Sequence, residues 1–331
     1  MHSGNLIRPL TIGAILLTVA VTSVAARAQQ SPAKEQRSAQ ETDDQLKIDL
    51  YTKFRNNYRT DEAVAYAVAK DYLQRYARDK DQYANYIRDW IALYEKEQRP
   101  RQLRNLVYNE RNFSEAFKLG KQVMNEEPDH LDSLIALGNA GYLAFRANNE
   151  SFNPEAISYA SRAIQLIENG KTPDDWVPFK GRDDSLAYLY GTVGLLKLKT
   201  APTEALEPLI MTAQLESELK KTPSTYYYLA HAYETGPYAK LSADYQKNFA
   251  DKEATPASKQ ALDKVNQVMD RIIDAFARAV AVAGNDPQYA INKAAWLSTL
   301  TAFYKFRHDN SDAGLNDMIA SILSKPLPAR L

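Results

Sequence analysis

From Leu46 onward apolar residues recur at spacings of three and four, and no window alternates apolar and polar positions for long. That period predicts helices throughout and no sheet. Helices are expected near 46–58, 61–78, 80–98, 101–110, 112–126, 130–147, 153–169, 183–199, 202–219, 223–235, 257–284, 287–308 and 312–324. Their punctuation is legible. Asn153-Pro154, Thr222-Pro223, Thr255-Pro256 and Asp286-Pro287 each set a side-chain oxygen before a proline, the pattern of a capped helix start. Asp183, ahead of the apolar run Leu186 to Leu198, reads as another N-cap. Gly170, Gly236 and Gly284 fall where helices are expected to stop.

The first residues follow a different pattern. Arg8 precedes an uncharged run from Pro9 to Ala26, and Ala26-Arg27-Ala28 supplies small residues for cleavage before Gln29. This is the pattern of a secretory signal over 1–28. The expected mature chain is exported, periplasmic or secreted, without a stable membrane span once the signal is removed. Residues 29–45 (QQSPAKEQRSAQETDDQ) lack apolar periodicity and read as a flexible tether.

Short helices joined by short turns call for a test of internal repetition. Tyr226-x-x-Leu229-Ala230-x-x-Tyr233 gives a spacing that Leu134-x-x-Leu137-Gly138 repeats in its first half. Ala187-x-x-Tyr190-Gly191-x-x-Gly194 echoes the order. Second-helix partners follow in Phe113-x-x-Ala116-Phe117, Ala156-Ile157-x-x-Ala160-x-x-Ala163, Ala205-Leu206-x-x-Leu209 and Phe276-x-x-Ala279. Large residues in such a pattern fill the space between hairpins, and small ones let backbones approach.

At these residues the chain resembles the tetratricopeptide repeat (TPR) proteins, specifically an exported bacterial type, whose unit is a helix hairpin of about 34 residues. The resemblance implies an all-α fold: a right-handed solenoid of antiparallel helix hairpins. It divides the chain into divergent N-terminal helices (46–100), TPR-like repeats (101–284) and C-terminal capping helices (285–331). Two insertions interrupt the repeats, 171–182 and 235–258. The second holds Tyr238, Tyr245 and Phe249 and reads as a lid, a docking loop or surface decoration.

Composition narrows the chemistry. The 331 residues carry 41 Lys and Arg against 41 Asp and Glu, no Cys, four His and twenty-one Tyr against ten Phe. Zero net charge argues against a nucleic-acid partner. Without cysteine there is no disulfide framework, zinc–thiolate site or thiol nucleophile. His130, His231 and His308 are far apart, and the acidic pairs Asp174-Asp175 and Asp183-Asp184 are sequence neighbours that do not face one another. No serine stands in a nucleophile motif and no glycine-rich phosphate loop occurs. The expectation is a protein that is not an enzyme and needs no cofactor or metal.

The tyrosine excess favours recognition, because a phenol offers an apolar face and a polar tip. By the TPR resemblance, the groove-facing positions are Gln98, Arg101, Asn105 and Tyr108; Asp132, Ile135, Asn139 and Tyr142; Ser185, Tyr188, Thr192 and Leu195; Ser224, Tyr227, His231 and Glu234. Asn105, Tyr108, Asn139, Tyr142, Tyr188, Thr192, Tyr227 and His231 are the expected partner-binding set. Arg101 and Asn105 match the family's carboxylate clamp for chaperone tails, but Ala136, Ser185 and Leu189 occupy its other positions. The resulting expectation is a binding or scaffold protein of the cell envelope that holds a peptide, protein or glycan. Two alternatives stand beside it: a helical accessory module acting on or beside a peptidoglycan-processing enzyme, and a self-assembling structural protein.

Overall fold

A computed structural model describes residues 32–329. Among them the chain is all-helical, with no strand and no helix long and apolar enough to cross a membrane. The expected signal segment 1–28 lies outside the described residues. The chain forms two compact units, one through Ile91 and one from Ala92 onward.

The first unit contains α1 (Pro32–Asn57), α2 (Glu62–Arg75) and the start of α3 (Gln82–Tyr108). Its core joins Phe54, Val68, Tyr72, Ile87 and Ile91. Residues 32–45, expected to be a tether, are instead the first turns of α1. Long-range contacts hold the turns around Asp43 and Lys47. The Tyr76 hydroxyl donates to the Asp43 carboxylate at 3.0 Å, and Lys47 pairs with both Asp79 and Asp81. Asp81 also accepts from Ala84 N at 2.8 Å, where α3 begins. The two carboxylates hold the Lys47 ammonium above its ordinary pKa.

The second unit begins within α3, which runs unbroken through Pro100 where two helices were expected. Proline removes one backbone donor, but Leu103, Leu106 and Val107 are buried immediately beyond it and keep the next turns in place. The unit continues with α4 (Phe113–Glu126), α5 (Leu131–Arg146), α6 (Asn153–Glu168), α7 (Arg182–Lys197), α8 (Pro202–Gln214) and α9 (Pro223–Tyr233). After these come α10 (Ala239–Phe249), α11 (Pro256–Ala283), α12 (Ala290–Arg307) and α13 (Leu315–Ser321). Helices α5 and α6, and α7 and α8, pack as pairs. Helix α7 also rests on both α5 and α6, and α9 lies against α8 and α11.

Small residues set these approaches. A methyl group added at Gly138 would stand 2.7 Å from Leu189 and 3.0 Å from the Ala160 backbone; one at Gly194 would meet Leu209 at 2.7 Å. The mid-helix glycines therefore serve close packing, the role their positions predicted.

Capping follows the sequence in part. Thr255 and Ser258 form a reciprocal capping box, and Asp286 accepts from Gln288 N. Thr222 makes no side-chain cap, because its hydroxyl donates back to the Glu218 carbonyl. Asn153 is already helical, with Phe152 in the capping place. Asp183 lies inside α7, and it is Asp184 that reaches back to accept from Lys180 N at 3.0 Å.

The 235–258 insertion is largely helical. A π-turn over Glu234–Tyr238 carries α9 into α10, which packs on α11. Tyr238 sets its ring edge-on to Phe303 at 5.5 Å.

Candidate functional site

The expected groove closes in its middle. Three of its residues, Asn139, Tyr142 and Thr192, are 4 %, 8 % and 0 % exposed. The Thr192 hydroxyl donates to the Tyr188 carbonyl at 2.9 Å and lies 3.2 Å from the Gly138 carbonyl. It thereby links α7 to α5 at the glycine approach. Asn139 Oδ1 is buried without a hydrogen-bond partner among the described residues, and burial pushes the neighbouring Tyr108 hydroxyl well above the ordinary tyrosine range. For these three side chains the groove expectation is corrected: helical register carried them inward, where neighbouring helices come too close to admit a partner.

Tyr108 and Tyr188, both half-buried, face the 171–182 insertion. The loop is latched at two points. Arg104 grips the Asp175 carboxylate with two nitrogens, at 2.9 and 3.1 Å, and donates to the Val177 carbonyl at 2.8 Å. Asp174 N donates to the Asp132 carboxylate at 3.3 Å. The Arg104 guanidinium holds Asp175 below the usual carboxylate range, while burial raises Asp132. Phe179 then packs on the Tyr188 ring at 5.4 Å, and Tyr142 meets the same ring edge-on at 5.3 Å. The space left among Arg104, Tyr108, Asp132 and Phe179 is about 10 Å³, at most one water. Asn105 is exposed, bonded to Asn109 and Glu110. The carboxylates of Asp132, Asp175 and Asp184 thus fasten the loop, and Asp174 joins through its backbone N–H.

Tyr227 and His231 belong to a separate, open cleft of about 500 Å³ between α9, α11 and α12. Spacings of three and four put Ser224, Tyr227 and His231 on one face of α9, with Glu234 one turn further. Helix α12 supplies Asn292, Trp296 and Thr299 by the same periodicity, and α11 supplies Phe276. Tyr227 lies 5.6 Å from Trp296 at 24° and 6.0 Å from His231 at 7°. Tyr228 lies beside them, 5.3 Å from Tyr227.

Polar groups in this cleft are mostly neutral, and its fixed charge is of one sign. Glu234 is the single carboxylate in its wall, and neither lysine nor arginine lines it. His231 Nδ1 stands 3.8 Å from Glu234 Oε2, beyond hydrogen-bond length, with both side chains about 40 % exposed. The other histidines have local roles. His130 accepts from Ser133 N at the start of α5, and His308 stacks on Tyr304 at 4.1 Å.

Of the eight expected residues, the structure brings only Tyr227 and His231 together in open space. Sequence reasoning missed Asn292, Trp296 and Thr299 as their companions. Trp296 was legible as an apolar position of a terminal helix, but its position against Tyr227 depends on how α12 docks. Asn292 and Thr299, four before and three after it, were the available signal.

No protein-family model matches the chain, and no curated protein or solved structure matches it.

Proposed function

We propose that this chain is a non-catalytic, TPR-like binding protein of the cell envelope whose partner is a protein segment seated in the α9–α11–α12 cleft by a lysine or arginine side chain. The observation that carries this reading is the cleft's composition. Aromatic rings share the wall with one carboxylate, and no lysine or arginine lines it. A cation near such rings gains roughly 0.5–2 kcal/mol, and Glu234 adds a charge partner at the rim. Ser224, Asn292 and Thr299 supply neutral hydrogen-bonding groups for an extended backbone.

A glycan fits this site less well. A sugar ring needs one broad open aromatic face, and Trp296 is only 6 % exposed with Tyr227 against it, whereas a single cation needs only the parts of Tyr227 and Tyr228 that stay half-exposed. The pairing of α5 with α6 and α7 with α8, with α7 resting on the preceding pair, supports the TPR-like reading. Export rests on the sequence pattern of residues 1–28.

The test is selection from a displayed random-peptide library with mature 29–331 as bait, followed by affinity measurement on the enriched peptides. Enriched peptides are expected to share a basic residue whose replacement by alanine weakens binding. Glu234→Gln and Tyr227→Ala are each expected to weaken it roughly tenfold, about the strength of one charge-assisted or ring contact. Enrichment of peptides that lack a basic residue and bind Glu234→Gln undiminished would refute the reading.

A further inference from the structure

A second cavity of the second unit is larger than the aromatic cleft. It holds about 680 Å³ between the end of α8, the short helix Leu219–Lys221, α11 and the segment after α13. Its chemistry is opposite in sign. Lys220, Lys221, Arg278 and Lys325 line it, against one carboxylate, Glu216.

These cations are not equally engaged. Lys220 reaches Glu216 at 2.5 Å, but Glu216 is 76 % exposed, where a pair contributes little. Lys221 is 72 % exposed and 3.8 Å from Glu218. Lys325 is exposed and makes no ion pair with a described carboxylate. Arg278 differs: its side chain is 5 % exposed and fixed by Asp274 at 2.7 Å and by the Pro326 carbonyl at 2.8 Å. A rigid guanidinium thus backs the cavity while flexible ammonium groups edge it. Apart from Gln214 and the Tyr226 ring, the rest of the wall is apolar, with Val282 on α11 and Leu327 on the segment after α13.

We infer that this cavity binds an amphiphilic anion: a small molecule with one acidic head at the lysine rim and a short apolar body against Val282 and Leu327. The volume lies within the range of small-molecule sites, and a mostly apolar wall with a small number of placed polar groups is their usual composition. The head exchanges water for lysine partners without displacing the Arg278–Asp274 pair. The inference is independent of the peptide cleft, with which the cavity shares no lining residue.

Decanoate, titrated calorimetrically into the full mature chain, is the probe. Decanol, acetate and decyltrimethylammonium separate the contributions of charge and apolar body. Decanoate is expected to bind saturably at one site, at least tenfold more tightly than decanol or acetate, with the cationic amphiphile showing no saturable binding. The double variant Lys221→Glu/Lys325→Glu alters exposed positions only and is expected to weaken decanoate at least tenfold with an unchanged melting temperature. Val282→Trp fills the cavity and is expected to abolish binding, with circular dichroism reporting that the helices persist. Absence of saturable decanoate binding would overturn the inference. So would equal affinity for decanol, or full affinity in either variant.

Discussion

Replacing Arg278 with alanine is expected to destabilise the second unit by about 3–5 kcal/mol, the range for breaking a buried ion pair from one side. The cost comes less from lost attraction than from what remains. Asp274, its side chain 13 % exposed, would keep a carboxylate in an apolar setting without its guanidinium. Arg278 also closes the C-terminal segment by donating to the Pro326 carbonyl, so the variant is expected to loosen residues 322–329 as well.

This prediction has a pH signature. Burial already holds the Asp274 carboxyl above the ordinary aspartate range, with Arg278 opposing the rise. A carboxyl whose folded pKa is raised contributes stability below its unfolded value, near 3.9, and loses that contribution as pH rises through the folded value. Without Arg278 the rise is larger, so the gap between wild type and variant should be wider at pH 7 than at about pH 4. Urea unfolding at both values measures it. The double variant Arg278→Leu/Asp274→Leu, which removes both charges, is expected to recover much of the loss at pH 7.

The second large effect is expected at the loop latch. Phe179→Ala removes a ring that is 8 % exposed and packed on Tyr188, at a cost of about 3 kcal/mol, the low end for a buried phenylalanine because a loop can partly collapse. Arg104→Ala, which breaks a half-exposed pair, should cost only about 1 kcal/mol. Both are expected to speed hydrogen exchange in 171–182 while leaving α9 and α12 unaffected. Faster exchange throughout the second unit in Phe179→Ala would instead make Phe179 part of the global core. Tyr188 belongs with Phe179 here: its alanine variant should lose stability and leave peptide binding at the α9–α12 cleft intact.

The contrast between Tyr188 and Tyr227 shows what the sequence could and could not reveal. The TPR resemblance placed both at positions where a repeat exposes its groove. Nothing local distinguished them, since the difference lies in Phe179 on one ring and an open cleft beside the other. The insertions were legible as departures from the repeat, but their destinations were not. Residues 171–182 fold inward because Arg104 and Asp132, some 70 and 40 residues earlier, hold them. The turns of α1 around Asp43 and Lys47 were obscured for the same reason. Their local pattern is polar, and their fixation depends on Tyr76, Asp79 and Asp81. Close-packing glycines were easier to read, because small residues at Gly138 and Gly194 recur at fixed offsets from large ones.

The central claim is that a partner segment occupies the α9–α11–α12 cleft and not the latched middle of the expected groove. A photoreactive amino acid placed singly at Asn292, at the cleft, and at Asn105, on the exposed flank of the middle, tests it directly. Irradiation with an enriched basic peptide, followed by mass spectrometry, should give a crosslink from position 292 that the Glu234→Gln change suppresses, and none from 105. A crosslink from 105 alone, or one from 292 that ignores Glu234, would contradict the account.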